Sequence, residues 1–289
     1  MKKFFSAILF VLFSFTSNAE EGLTNLSSRV SEFAAGLIPG EGHTEVGIDL
    51  RNGESPDFNI LGVREVAPIE IEKGKMFTQF SLFNTEAKTG NGGDERYIGN
   101  LGLGLRKLSD DNTIMYGINN FYDYDLENEH LRTSVGFEAR SAVLELNLNK
   151  YYGLSDEYNE ENVLDGNEFQ LSSQIPYLHW AKAFVNSYKW EGVIRADVKG
   201  QKFGSEMQLT PNFNFEFAKD DKSGGAKDEW YSKLQFVHPG KEGPTGLDGV
   251  SDTPWKEDRD MSGELLSKVK RQNKIFIEFK GSSVINRTD

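Results

Sequence analysis

Between residues 95 and 140, three consecutive stretches alternate apolar and polar side chains with a period of two. In ERYIGNLGLGLR, Tyr97, Leu101, Leu103 and Leu105 share one face with Gly99, while Asn100, Gly102, Gly104 and Arg106 share the other with Ile98. In TIMYGINNFYDYD, Ile114, Tyr116, Ile118 and Tyr122 alternate with Gly117, Asn119, Phe121 and Asp123. In HLRTSVGFEAR, Leu131, Thr133, Val135, Phe137 and Ala139 oppose Arg132, Ser134, Gly136, Glu138 and Arg140. Successive side chains of a strand point to opposite faces, so each stretch reads as a strand with one apolar and one charged face. A row of Arg, Ser, Glu and Arg is too costly for a dry core unless every charge is paired. A row of Leu, Val and Phe should not face water over several strands. A transmembrane barrel meets both demands, with lipid outside and water or a polar plug inside.

Similar stretches run along most of the chain. Candidate strands cover 44–50, a segment beginning at Phe58 and Ile60, 76–83, 97–106, 113–124, 130–140, 144–152, 169–175, 180–190, 203–209, 213–217 and 229–237. The pattern therefore predicts an all-β, 12-stranded antiparallel outer-membrane barrel over residues 43–238, an even number as such barrels require. Connections after even strands, near Ser141, at Pro176–Leu178 and around Pro211, are short. Those at 85–94, 155–166, 191–201 and 219–228 are longer, and 51–56 and 64–74 break the trend. The alternation places Leu101, Leu103, Leu105, Ile118, Val135, Phe137, Leu146, Phe213 and Phe215 toward lipid. It places Asn100, Arg106, Asn119, Asp123, Arg132, Ser134, Glu138, Arg140, Glu145 and Asn147 toward the lumen, with Asn149 beside them. Tyr122, Tyr124, Tyr151, Tyr152, Trp180, Tyr188 and Trp190 lie near strand ends, where aromatic girdles belong.

The two ends carry other signals. Residues 1–19 have two lysines, an apolar run from Phe4 to Phe15 and Ser17-Asn18-Ala19, the three parts of a secretory signal. That run is shorter than the roughly 20 residues of a membrane-spanning helix. Residues 20–42 form a leader in which Leu23, Leu26, Val30, Phe33 and Leu37 have the spacing of a short amphipathic helix. A Gly-, Pro- and Asp-rich loop at 239–260 precedes MSGELLSKVKRQ (261–272), which reads as a short helix. NKIFIEFK (273–280) alternates again through Ile275, Ile277 and Phe279.

Composition narrows the functional classes. Without Lys2 and Lys3 the chain has 30 basic against 45 acidic side chains, a net charge of −15, which argues against a nucleic-acid partner. It has no cysteine, so an exported form must be stabilised without disulfides. The low mean hydropathy of −0.52 does not oppose a barrel, whose apolar residues occupy alternate positions. His43, His130, His179 and His238 are scattered without metal-ligand spacing. There is no Gly-x-Ser-x-Gly elbow, and the glycines of NLGLGLRK lack the following helix of a nucleotide loop. Asp123, Asp125 and Glu127 could hold calcium, but such acids are more often simply solvated. No catalytic residue, metal or cofactor is therefore expected. The small residues within strands are expected to leave room on the luminal face.

The run NLGLGLRKL, FYDYDLENEHLRTSVGFEAR and YYGLSD resembles the translocator barrel of the inverse autotransporters, the intimin and invasin family. IPYL (175–178) and Thr210-Pro211 fall where that family has Pro turns, and Pro254-Trp255 with LLSKVKRQNKIFIEFK resembles its end. The likeness spans about residues 25–280. It implies that residues 261–272, including Leu265, Val269 and Arg271, sit in the lumen as a helix. Residues 273–289 would thread outward as a linker. Lys268, Lys270 and Arg271 would pair with Asp123, Glu138 and Glu145. In the family the linker carries an adhesive passenger; here nine residues follow Lys280, enough for a stub. The implied partners are outer-membrane lipid and the barrel-assembly machinery, with a passenger on a separate chain as a further candidate, and the implied state is a monomer. A passive pore or structural outer-membrane barrel is the alternative, and a soluble secreted β-sandwich the third reading.

Overall fold

The structure, a computed structural model, describes residue 29 and residues 40–51, 56–89, 92–223, 228–280 and 285–286. Twelve strands close into one antiparallel barrel. They are β1 (Gly42–Arg51), β2 (Asp57–Ile71), β3 (Gly74–Thr89), β4 (Gly92–Leu108), β5 (Ile114–Asp125), β6 (Leu131–Ser141), β7 (Leu144–Gly153), β9 (Asp165–Ile175), β10 (Leu178–Glu191), β11 (Val198–Gln208), β12 (Phe213–Lys222) and β13 (Glu229–His238). Each pairs with its neighbour in sequence. The seam between β1 and β13 runs from Thr44 opposite His238 to Arg51 opposite Tyr231. Closure leaves no strand edge unpaired, as a span through hydrocarbon requires. Three short strands stand apart from the wall. β8 (Glu161–Val163) lies in the connection between β7 and β9; it pairs with β14 (Ile277–Phe279), which pairs with β15 (Ile285–Asn286).

The two rims differ. Tight connections at 72–73, 109–113, 142–143, 176–177 and 209–212 share one rim, and the longer ones at 126–130, 154–164 and 192–197 lie at the other. Two expectations change here. Residues 64–74 are not a long connection, because β2 continues to Ile71 and turns at Glu72-Lys73 into β3. A register shift between Glu65 and Glu70 breaks the alternation that would have marked the strand. Residues 85–94 are likewise mostly strand, paired up to Thr89 opposite Gly92.

Leu101, Leu103, Leu105, Ile118, Val135 and Phe137 are exposed on the outer surface. Leu146, Phe213 and Phe215 are partly exposed there, with cross-strand partners Leu171 and Leu234 that are themselves exposed. The ten polar residues assigned to the lumen are all buried inside. The aromatic girdle needs correcting. Tyr122, Tyr124 and Tyr152 face outward, but Tyr151, Tyr188 and Trp190 point into the lumen and are buried. Adjacent strand residues take opposite faces, so Tyr151 and Tyr152 cannot both belong to a girdle. The signal segment 1–19 lies outside the described residues, as does the leader except for Arg29 and residues 40–42.

After β13 the chain follows the tight-turn rim. Lys241 N donates to the Pro211 carbonyl, Trp180 Nε1 to the Gly249 carbonyl at 2.8 Å, and Tyr177 exchanges backbone hydrogen bonds with Ser251 and Pro254. Met261 N reaches the Asn112 carbonyl at 2.9 Å, and there the chain turns into the lumen.

Candidate functional site

The lumen is occupied by residues 261–280, and the wall holds them mainly by their backbone. The expected helix over 261–272 is absent: a single 3-10 turn, Ser262–Glu264, and a turn at 265–266 are followed by chain without regular secondary structure. The reason lies in where the carbonyls go. Arg106 Nη1 donates to the carbonyls of Leu265 (3.0 Å) and Ser267 (2.5 Å), and Arg140 Nη2 to that of Lys268 (2.9 Å). Asn149 Nδ2 donates to Lys270 O, Arg132 Nη2 to Gln272 O and Asn100 Nδ2 to Asn273 O, at 3.0, 2.7 and 2.8 Å. Two amides are also used, Val269 N donating to Gln79 Oε1 and Gln272 N to the Tyr151 hydroxyl. Buried backbone groups must find partners. Here the wall supplies them, so intrahelical bonds are replaced rather than lost.

The side chains of the segment are matched as well. Arg271 makes a two-pronged pair with Asp123, at 2.6 and 2.9 Å, and its guanidinium lies 4.3 Å over the Phe121 ring. Arg132 contacts the same Asp123 at 2.8 Å. Lys270 reaches Glu145 (3.0 Å) and Glu206 (2.5 Å). Lys268 pairs with Glu45 at 2.9 Å and bonds Gln235, not an acid of the expected set. Glu138 takes no cation from the segment because Arg140, on its own strand, and Arg106, two strands away on β4, hold both its oxygens at 2.7 Å. Lys274 pairs with Asp57.

Apolar contacts alternate with these charges along the path. Leu265 and Met261 pack on Leu108 and Met115. Val269 packs on Leu61, Val63, Phe77 and Phe121. Ile275 and Ile277 join Ile98 and Val163. Phe276 stacks on Trp190 with ring centres 4.2 Å apart, among Tyr151 and Tyr188. At the long-loop rim, β14 pairs with β8, Ile277 opposite Val163. Phe279 in that strand is partly buried.

The remaining sequence candidates have ordinary structural partners. Ser134 Oγ accepts from Arg271, and Asn147 donates to Glu145 at a long 3.4 Å. Asn119 is buried beside Gly136, where an added methyl would approach its Oδ1 to 2.5 Å. The small luminal residues serve the wall rather than the segment. A methyl on Gly102 would meet the Phe121 ring at 2.3 Å and one on Gly104 the Phe77 ring at 2.3 Å. These rings in turn lie under Arg271 and Arg106. Asp125 accepts from Glu127 N and Asn128 N, and Asp123 is committed to arginines, so two of the three acids of DYDLE are occupied, while Glu127 is exposed. Among the described residues, no three metal-ligating side chains cluster. At the tight-turn rim, outside the membrane-spanning strands, the Ser262 hydroxyl and amide hold the Asp260 carboxylate below its ordinary value. The Ser109 and Thr113 hydroxyls, with the Thr113 amide, pull Asp111 down to about 2.

A closed twelve-stranded barrel with an apolar outer band and a polypeptide through its lumen is an outer-membrane protein of the translocator class. Residues 19–273 match the family model of the inverse autotransporter β-domain, and the chain belongs to that family, whose barrels lie in the Gram-negative outer membrane. Among solved structures, a membrane protein from work on in-meso crystallization superposes with a TM-score of 0.64 at 18% identity, covering 82% of this chain and 100% of that one. The KdgM porin gives 0.47 at 8% identity (67% and 98% covered), and the transport unit of the autotransporter AIDA-I from Escherichia coli 0.35 at 10% (73% and 96%). At these identities the likeness is one of fold alone.

Proposed function

We propose that the barrel holds residues 261–280 as the outgoing strand of a translocator, entering from the periplasm and leaving at the cell surface. The observation that carries this reading is the path itself. The chain enters beside Asn112 on the tight-turn rim and leaves against β8 on the long-loop rim, gripped throughout by wall side chains. Short turns mark the periplasmic side of outer-membrane barrels, which supports this direction. The seventeen residues 261–277 span at most about 56 Å fully extended, against about 40–45 Å for a bilayer with headgroups. The family role, display of an adhesive passenger, is the activity this path would serve.

An epitope placed after residue 289 tests the direction. Binding of antibody on intact cells is expected. An epitope reached only after the outer membrane is opened would overturn outward threading and leave a passive or structural barrel. One feature favours that alternative: a cavity lies beside the segment, lined by Lys182, Glu206, Glu216 and Gln235.

A further inference from the structure

At the long-loop rim, Glu278 is held without a cation. It is only 2% exposed. Its carboxylate accepts three consecutive backbone amides from the β10–β11 connection: Val193 N (2.9 Å) and Ile194 N (2.8 Å) on Oε2, and Arg195 N (2.8 Å) on Oε1. Among the described residues no Lys or Arg pairs with it, and the nearby Lys280 goes to Glu157 instead. Successive amides turned to one point make a concave anion site, and a carboxylate bound by amides gains charge-assisted bonds. The same three residues, Ile277–Phe279, add as a strand to β8, with Glu278 opposite Asn162. The exposed side chains of Val193 and Ile194 show that this connection is not held by a core of its own.

We propose that β8 and the amides of residues 193–195 form an outlet lock, a site that takes one carboxylate on an extended strand. The lock rests on the outward-threading reading and adds to it. A sliding chain presents its backbone at every register, so the carbonyl contacts in the lumen are repeated as it moves. The amide cradle recognises a single side chain. Glu278 is flanked by Phe276 and Ile277 before it and Phe279 after it, so strand addition and carboxylate capture coincide at one register only. The lock therefore fixes where the segment stops and closes the outlet around it. The hold is independent of the Arg271–Asp123 pair deeper in the lumen, so releasing it loosens the strand at residues 277–279 and leaves 261–272 in place.

The chain has no cysteine, which allows a clean test. Ile277→Cys is introduced in the full chain and labelled on intact cells with a membrane-impermeant maleimide. It is compared with the same chain carrying Glu278→Gln, Glu278→Lys or Ile194→Pro. Ile194→Pro removes the central amide from an exposed loop and leaves the barrel wall untouched; a heat-modifiable gel shift confirms that each barrel is folded. Slow labelling is expected with the lock intact, rising at least tenfold for Ile194→Pro and Glu278→Lys and less for Glu278→Gln. Equal labelling on intact cells in the folded variants would overturn the lock while outward threading stands. Labelling in every variant only after the membrane is opened would overturn threading itself.

Discussion

Asp123 joins the wall to the segment through two arginines. It lies between Arg132 of the wall and Arg271 of the segment, all three buried. Removing one member of a buried ion pair leaves an uncompensated charge, at a cost of about 3–5 kcal/mol. Asp123→Asn strands two guanidinium groups, so it should fall in that range. Arg271→Met leaves the Asp123–Arg132 pair intact and keeps an apolar stem over Phe121, so it should cost clearly less. Urea unfolding in detergent micelles would compare them, and equal losses would mean that Asp123 does not hold both arginines. The Asp123–Arg271 and Glu145–Lys270 pairs were legible in the sequence because strand parity gives the wall acids and the family pattern gives the segment cations. Lys268–Glu45 was not. Parity says which way Glu45 points but not that closure of β1 on β13 brings it beside Gln235, opposite Lys268.

On the scale of single elements, the strands were legible and the helix was not. Leu265, Leu266 and Val269 have helical spacing, yet they serve two separate apolar patches on the wall. What decides the conformation is the supply of donors from Arg106, Arg132 and Arg140, which local periodicity does not report. The facing of a strand can be tested within one element. Leu171 and Gln170 are neighbours on β9, Leu171 exposed on the outer surface and Gln170 on the open side of the lumen. An arginine on the lipid face near mid-membrane costs about 2–4 kcal/mol. Leu171→Arg should pay that and assemble poorly, whereas Gln170→Arg, two residues from Glu168, should assemble near normally. Matching assembly yields on a heat-modifiability gel would refute the facing. Ser134 shares the parity of Gln170 but cannot serve as the control. Arg271 already rests on its hydroxyl, so an arginine there would meet both crowding and like charge.

For the whole molecule, the segment is both the filling of the barrel and its counter-charge. Within β4–β7, Arg106, Arg132 and Arg140 are already paired with Asp123, Glu138 and Glu145. That part of the wall stays charge-balanced if the segment is removed. The rest does not. Glu206 and Asp57 hold Lys270 and Lys274 of the segment, and Glu45 shares Lys268 with Lys241; deleting residues 261–289 takes the segment's cations away and leaves Glu45 only Lys241 of its two lysines. Cavities already lie between the segment and the β10–β13 side, with Glu206, Glu216 and Gln235 lining both parts. Removing the segment should join them into one acidic channel. In planar bilayers the full chain should therefore show a small conductance and the deletion a large one that prefers cations. The preference should weaken in high salt, as the Debye length falls from about 10 Å at 0.1 M to about 3 Å at 1 M. A deletion that stays closed would mean that the segment is not what fills the pore. An open but anion-selective one would mean that the segment's lysines do not neutralise the wall.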